Sequence, residues 1–147
     1  MRIRFTLNGA RVAVDARTDE TLVDVLRRGL GVVSVRETCG IGVCGACTVL
    51  VDGETISSCL LLAPLADGRE VTTVEGLGGD HPVQRAFSDA HAFQCGYCTP
   101  GMILTAVRLL EESPRPTDEE IRLGLAGNLC RCGCYVKIID AVKRAAS

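Results

Sequence analysis

The hydrophobic and polar positions at the start of the chain follow two successive periods. Apolar residues alternate with polar ones on both sides of an Asn8-Gly9 turn. This pattern over residues 2–14 is typical of a β-hairpin. From Thr18 onward the spacing changes to that of one face of a helix, which Gly29 and Gly31 are placed to end. The predicted helical face consists of Leu22, Val25, Leu26 and Leu30.

A second hairpin is predicted for residues 48–57, where two short strand-forming runs flank an Asp52-Gly53 turn. The run 71–74 supplies a further strand. Residues 1–75 are therefore predicted to fold in the order ββαβββ.

A glycine-rich segment, 75–80, separates this part from one without strand signals. We place the boundary there and predict an α+β protein with domains 1–76 and 77–147. The second domain is predicted to hold four short helices. The first three starts are marked by Pro82, by Thr99-Pro100 and by a capping box of Thr117 with Glu120. The fourth helix is defined by Val136, Ile139 and Val142.

The amino-acid composition and the charge limit the kind of core, the classes of partner and the location that the chain can have. The 147 residues include three Phe, two Tyr and no Trp, so the core must be built mainly from aliphatic residues. The net charge is -2, and no basic run points to nucleic acid or to an anionic membrane surface. The N-terminus lacks the apolar block of a secretory signal, and no apolar span is long enough for a membrane helix. A cytoplasmic location is expected.

Eight of the nine cysteines form two quartets with different spacing. The first follows C-x4-C-x2-C with a fourth cysteine eleven residues later, which is the plant-type ferredoxin spacing for a 2Fe-2S centre. Glycines at 40, 42 and 45 would let the loop fold closely around a metal centre. A zinc site is the alternative, although zinc has no need of this glycine-lined loop. The first quartet is Cys39, Cys44, Cys47 and Cys59.

The second quartet reads C-x2-C, then thirty-one residues, then C-x-C. It also favours an iron-sulfur centre, because a zinc ribbon would repeat C-x2-C at the second pair. A Rieske centre is disfavoured, since His81 and His91 lie outside both motifs. The second quartet is Cys95, Cys98, Cys130 and Cys132.

Three segments closely resemble the small iron-sulfur subunit of the molybdenum hydroxylases, the family of xanthine dehydrogenase, aldehyde oxidoreductase and carbon monoxide dehydrogenase. They are Cys39-Gly-Ile-Gly-Val-Cys-Gly-Ala-Cys-Thr-Val, Gln94-Cys-Gly-Tyr-Cys-Thr-Pro-Gly and Gly127-Asn-Leu-Cys-Arg-Cys. They occur in the family's order, and the resemblance covers almost the whole chain.

The resemblance implies a β-grasp ferredoxin-like domain followed by a four-helix cluster-binding domain. It also implies a relay of electrons from a molybdopterin centre, through two 2Fe-2S clusters, to FAD. The second quartet would hold the cluster nearer molybdenum and the first quartet the one nearer the flavin. Gln94 and Cys132 match positions that contact the pterin in the family.

One position departs from the family pattern. Where the family usually has Cys-Arg-Cys-Thr-Gly-Tyr, this chain has Cys130-Arg-Cys-Gly-Cys-Tyr135. The additional Cys134 is either a spare thiol that behaves as a small buried hydrophobe or a swapped ligand or redox-sensitive group.

The chain shows no nucleophile-base pair, phosphate loop or dinucleotide fingerprint, so no catalytic residue is predicted. Because it stops at Ser147, two separate polypeptides are expected as partners, a medium FAD subunit and a large molybdopterin subunit, in a heterotrimer or a dimer of heterotrimers. The expected function is electron transfer during hydroxylation of a small molecule such as an aldehyde or an N-heterocycle. The alternatives are a freely diffusing ferredoxin-type carrier and a zinc-stabilised interaction module.

Overall fold

The computed structural model describes residues 1–146, so that Ser147, the end of the predicted second domain, lies outside the described residues. Five strands form one mixed sheet in the order β2-β1-β5-β3-β4. Both predicted hairpins are present as antiparallel pairs, and β1 pairs in parallel with β5. The strands are β1 (Arg2–Leu7), β2 (Ala10–Asp15), β3 (Thr48–Val51), β4 (Glu54–Ser57) and β5 (Glu70–Thr72).

The last strand is shorter than the predicted 71–74. After Thr72 the chain turns into a 3-10 helix, Val74–Leu77, whose Val74 and Leu77 pack against the helical part of the molecule. Residues 75–77 of the predicted linker therefore belong to a 3-10 helix, because Val74 and Leu77 pack against the hydrophobic cluster of the helices.

The predicted first helix is present but begins later than Thr18. It starts at Leu22, because the Thr21 side chain caps it by accepting the N–H of Asp24, and it continues as a π-helix over Val25–Gly29. We call the whole helix α1 (22–29). Its apolar face is buried as predicted, except that Leu30 is only partly buried.

Four helices follow the sheet, as expected. Thr117 and Glu120 form the predicted capping box at the third of them. His81 has a related role, since its Nδ1 accepts the N–H of Val83 at the start of the first. The helices are α2 (Pro82–Asp89), α3 (Thr99–Glu112), α4 (Asp118–Gly124) and α5 (Tyr135–Ala145).

The predicted apolar face of α5 is partly wrong. Val136 is 81% exposed, whereas Ile138, Ala141 and Val142 are buried. Two overlapping apolar stripes run along this helix, and the contact of α5 with α2 and α4 selects the one that contains Ile138. Sequence periodicity alone could not choose between them.

The core consists of two hydrophobic clusters. One lies between the sheet and α1, and the other lies among α2 to α5. Both are largely aliphatic, with Phe5 in the first and Phe87 in the second. The low aromatic content of the sequence is thus reflected in the packing.

The sheet and the helices meet where α3 packs on β3 and β4. All four residues of β3 are buried, because one face turns to the core of the sheet and the other to α3. At the edge of this contact Arg108 donates two hydrogen bonds, of 3.2 and 2.7 Å, to the carboxylate of Glu54. Within residues 1–146 no helix is both long and apolar enough to cross a bilayer.

Candidate metal centres

Three cysteines of the first quartet lie in a loop of tightly turned backbone before β3, and Cys59 follows β4. The backbone N–H groups of Ile41, Val43 and Cys44 lie 3.5, 3.4 and 3.5 Å from Sγ of Cys39. Three N–H groups can converge on one sulfur because the loop reverses direction at its glycines. The glycines of the loop are Gly40, Gly42 and Gly45, with φ of 67°, 74° and 74°.

The electrostatics of this loop favour a thiolate at its exposed end. The N–H of Ile41, followed by those of Cys44 and Val43, lowers the pKa of the Cys39 thiol from 9.0 to about 6. Burial raises the pKa of the Cys59 thiol to about 11, and a hydrogen bond with the Cys47 thiol adds to the rise. The thiol of Cys39 interacts with that of Cys44, and the thiol of Cys59 with that of Cys47, so Cys59 lies beside the loop although it follows β4.

The second quartet lies where helix ends meet. Cys95 and Cys98 precede α3, whereas Cys130 and Cys132 lie between α4 and α5. The N–H of Tyr97 lies 3.5 Å from Sγ of Cys95 and lowers the pKa of this thiol, as does a hydrogen bond with the Cys132 thiol.

Burial raises the pKa of the Cys98 thiol to about 12, and hydrogen bonding to the Cys130 thiol contributes. Together with Cys44 of the first loop, Cys95, Cys98 and Cys130 line a cavity of about 370 Å³. The structure therefore brings together residues that are far apart in the sequence and places the two quartets side by side.

The ninth cysteine belongs to the same cluster of thiols. Cys134 is 4% exposed, precedes α5 and directs its N–H at Sγ of Cys130 over 3.5 Å. Burial opposes charge on Cys130, but this N–H and the thiols of Cys98 and Cys134 outweigh that effect and lower its pKa. Burial and the neighbouring Cys130 raise the pKa of Cys134 itself.

The donor set fits an iron-sulfur cluster. All nine cysteines are free, and no three His, Cys, Asp or Glu side chains in residues 1–146 converge on a position for a single metal ion. A 2Fe-2S cluster makes a different demand, because its four thiolates are divided between two irons. Amide N–H groups point at Sγ of Cys39, Cys95 and Cys130, and such bonds stabilise cluster thiolates and tune their potential.

Gln94 lies on the surface beside the second quartet. Its side chain is exposed, and its amide nitrogen lies 3.4 Å from the carbonyl oxygen of Cys132. The two residues singled out for pterin contact are therefore neighbours. His81 caps α2 and His91 lies on the surface, so neither histidine joins a quartet.

Sequence reasoning missed the residues that join the two cysteine loops. The N–H of Leu129 donates a 2.9 Å hydrogen bond to the carbonyl oxygen of Cys44. Arg36 reaches from the first loop to the second, where its guanidinium bonds to the carbonyls of Gly96 and Tyr97. No spacing signal marks Arg36, since its partners lie about sixty residues away and become neighbours only in the fold.

Both halves of the chain match known sequence families. Residues 5–74 match the family described as the 2Fe-2S iron-sulfur cluster binding domain, and residues 73–143 match the [2Fe-2S] binding domain. The chain is 50% identical to one of the nicotinate dehydrogenase subunits of Pseudomonas putida, over 98% of its length and 94% of that relative. The chain belongs to the small iron-sulfur subunits of the molybdenum hydroxylases.

Other comparisons agree with this membership. The nicotinate dehydrogenase small FeS subunit of Eubacterium barkeri is 47% identical, over 97% of this chain and 93% of that subunit. A chain of quinoline 2-oxidoreductase from Pseudomonas putida 86 superposes with a TM-score of 0.95 at 43% identity, covering 99% of this chain and 93% of that one.

Family membership confirms the resemblance found in the three cysteine motifs and the mixed α/β class. As an iron-sulfur subunit, the chain is a component of an oxidoreductase complex, which confirms the expectation that it forms part of an enzyme. A freely diffusing ferredoxin is not favoured, because the relatives are subunits.

Proposed function

We propose that this small subunit relays electrons within a multi-subunit molybdenum hydroxylase, from a molybdopterin centre through two 2Fe-2S clusters to an FAD subunit. The observation that carries the proposal is the adjacency of the two thiol quartets. The Leu129–Cys44 hydrogen bond joins the segments that hold them, and residues of both quartets line one cavity.

The proposed ligand sets follow the two quartets. Cys39, Cys44, Cys47 and Cys59 would hold one cluster in a β-grasp ferredoxin-like domain, residues 1–76. Cys95, Cys98, Cys130 and Cys132 would hold the other in a four-helix domain, residues 77–147. The two hydrophobic clusters support this division, because the first contains Cys47 and Cys59, whereas the second contains Cys130 with Cys98 and Cys132 packed against it.

When bound, each cluster would supply one-electron transfer. The contribution of the chain is to hold thiolates under directed N–H groups and to keep the two loops in fixed contact. The buried Asn128, which bonds to Gly45 and Thr48 on one side and to Thr105 on the other, performs the second task.

The surface around the second quartet supports the proposed direction of the relay. Gln94 and Cys95 are exposed there, and Gln94 bonds to the carbonyl of Cys132. A pterin amino or ring nitrogen approaching this surface would meet an amide side chain beside a cluster ligand. Gln94 and Cys132 are therefore proposed to face the molybdopterin subunit, and the first quartet is proposed to face the flavin.

An N-heterocyclic substrate is proposed for the complete enzyme. Two relatives are named for nicotinate, and the solved structure is named for quinoline, both of which are N-heteroaromatic compounds. An aldehyde is the other substrate class. The substrate site would lie on the molybdopterin subunit, in a cytoplasmic heterotrimer or dimer of heterotrimers with an FAD subunit.

The test is low-temperature EPR of the dithionite-reduced protein, with iron and sulfide measured per chain. Two distinct signals that sum to about two spins per chain are expected, one from each reduced cluster. A single signal with half the iron would contradict the two-cluster relay and would return the chain to the role of a single-cluster carrier. Equimolar zinc without visible absorbance would contradict both the two-cluster relay and the single-cluster carrier.

A further inference from the structure

Arg36 connects the two cysteine loops through hydrogen bonds from its backbone and from its side chain. Its backbone N–H donates a 3.1 Å hydrogen bond to the carbonyl of Ala46, inside the first loop. Its guanidinium crosses to the second loop, where Nη1 donates to the carbonyl of Gly96 at 3.1 Å and to that of Tyr97 at 2.6 Å. The guanidinium also lies 4.9 Å from the centroid of the Tyr97 ring.

One peptide group links the guanidinium to a cysteine sulfur. The Gly96–Tyr97 peptide accepts from Arg36 at its oxygen and donates its N–H to Sγ of Cys95 at 3.5 Å. Hydrogen bonds at the two ends of an amide polarise each other, so a cation at the oxygen strengthens the N–H bond to sulfur. Arg36 is only partly exposed, which limits the solvent screening of its charge.

We propose that Arg36 is a positioning residue that raises the reduction potential of the cluster held by the second quartet. This inference rests on the proposed function, since it requires a cluster at Cys95, Cys98, Cys130 and Cys132. Reduction adds one electron and one negative charge to the cluster. A nearby cation and a strengthened N–H···S bond both stabilise the more negative state.

The hydrogen-bonded part of the effect is directed at the second cluster. The guanidinium bonds of Arg36 go to the 95–98 loop, whereas its tie to the first loop is made by the backbone. Substitution of the side chain leaves the N–H bond to Ala46 in place. The first cluster feels the charge but not these hydrogen bonds, so the difference between the two potentials measures the effect of the guanidinium contacts.

The experiment is an EPR-monitored redox titration of the complete complex, with iron and sulfide content determined for each variant. Arg36→Gln removes the charge, and Arg36→Lys keeps the charge but loses the planar fork. Arg122→Gln, at an exposed position on α4, is the control for the same change in net charge.

The midpoint potential of the second cluster should fall in Arg36→Gln and fall less in Arg36→Lys, and in both variants it should fall more than that of the first cluster. At the midpoint potential of the wild-type cluster, a tenfold decrease in the ratio of reduced to oxidised cluster in a variant corresponds to a fall of about 59 mV in the midpoint potential of that variant. Arg122→Gln should leave both potentials unchanged.

The inference is overturned if Arg36→Gln keeps both signals at wild-type potentials, or if the potentials of both clusters shift equally. If Arg36→Gln does not retain its iron, Arg36→Lys decides the question, because a wild-type potential in that variant also overturns it. Failure of the proposed function is distinguishable, since the wild-type complex would then lack the second signal altogether.

Discussion

The side-chain amide nitrogen of Asn128 lies 3.2 Å from the carbonyl oxygen of Gly45, inside the contact between the two halves of the subunit. Gly45 lies between two cysteines of the first quartet, and Asn128 lies two residues before Cys130 of the second. Asn128 is buried, and its Oδ1 accepts a 2.8 Å hydrogen bond from Thr105. One side chain thus satisfies groups from both parts of the fold.

Asn128→Ala should destabilise the subunit by about 1–3 kcal/mol, because it removes a buried donor and leaves its partners without one of their bonds. At about 2–4 °C per kcal/mol for a protein of this size, the loss should be visible in thermal unfolding followed by cluster absorbance. Thr105→Val, which keeps the amide bond to Gly45, should cost less. Equal stability of Asn128→Ala and wild type would show that the bond does not hold the halves together.

Gly45→Ala should be far more harmful than Gly53→Ala. Both glycines have left-handed φ, of 74° and 83°, so both variants incur backbone strain. At Gly53 an added Cβ meets nothing within 4 Å, whereas at Gly45 it would lie 2.3 Å from the carbonyl oxygen of Gly127. The clash should add about 1–3 kcal/mol, measured as the difference in thermal stability between the two variants.

Gly101→Ala separates the clash from the strain. Gly101 does not have a left-handed φ, but an added Cβ would lie 2.4 Å from the carbonyl oxygen of Gly45. This variant should therefore also lose stability through overpacking at the same contact. If Gly45→Ala and Gly53→Ala were equally stable, close packing of the two loops would not be required.

Substitution of one cysteine in each quartet should have different kinetic consequences. Cys132→Ser should impair the cluster proposed to lie nearer molybdenum and slow turnover with every electron acceptor. Cys47→Ser should leave reduction of that cluster by substrate intact but block reduction of the flavin. Rapid mixing with substrate, followed by flavin absorbance and freeze-quenched EPR, distinguishes the two. Normal flavin reduction in Cys47→Ser would show that the proposed serial order is wrong.

Cys134→Ala should retain both clusters with wild-type iron content and EPR signals. Its thiol is buried like a small apolar side chain, and its N–H bond to Cys130 belongs to the backbone, which the substitution preserves. A loss of about 1 kcal/mol is expected from the small cavity. Loss of the second EPR signal would instead identify Cys134 as a ligand.

Local patterns were sufficient for much of the fold. Asn8-Gly9 and Asp52-Gly53 predicted both hairpins, because two-residue turns with left-handed φ match the twist of the strands. Thr117 and Glu120 predicted a helix start through bonds within one turn. These signals succeed because the physical interaction lies within a few residues of the sequence.

Other features depend on surfaces that come together only in the folded chain. The choice between the Val136 and Ile138 stripes of α5 follows from its neighbours, and burial of both faces of β3 follows from its contact with α3.

The sequence by itself determined the strand and helix order, because hydrophobic period is a local property, and its cysteine spacings predicted the two quartets. Only the tertiary structure decided that the quartets lie side by side and that Arg36 and Asn128 connect their loops. These contacts join residues sixty or more positions apart, and their energies depend on burial and on exact distance, neither of which is encoded in spacing.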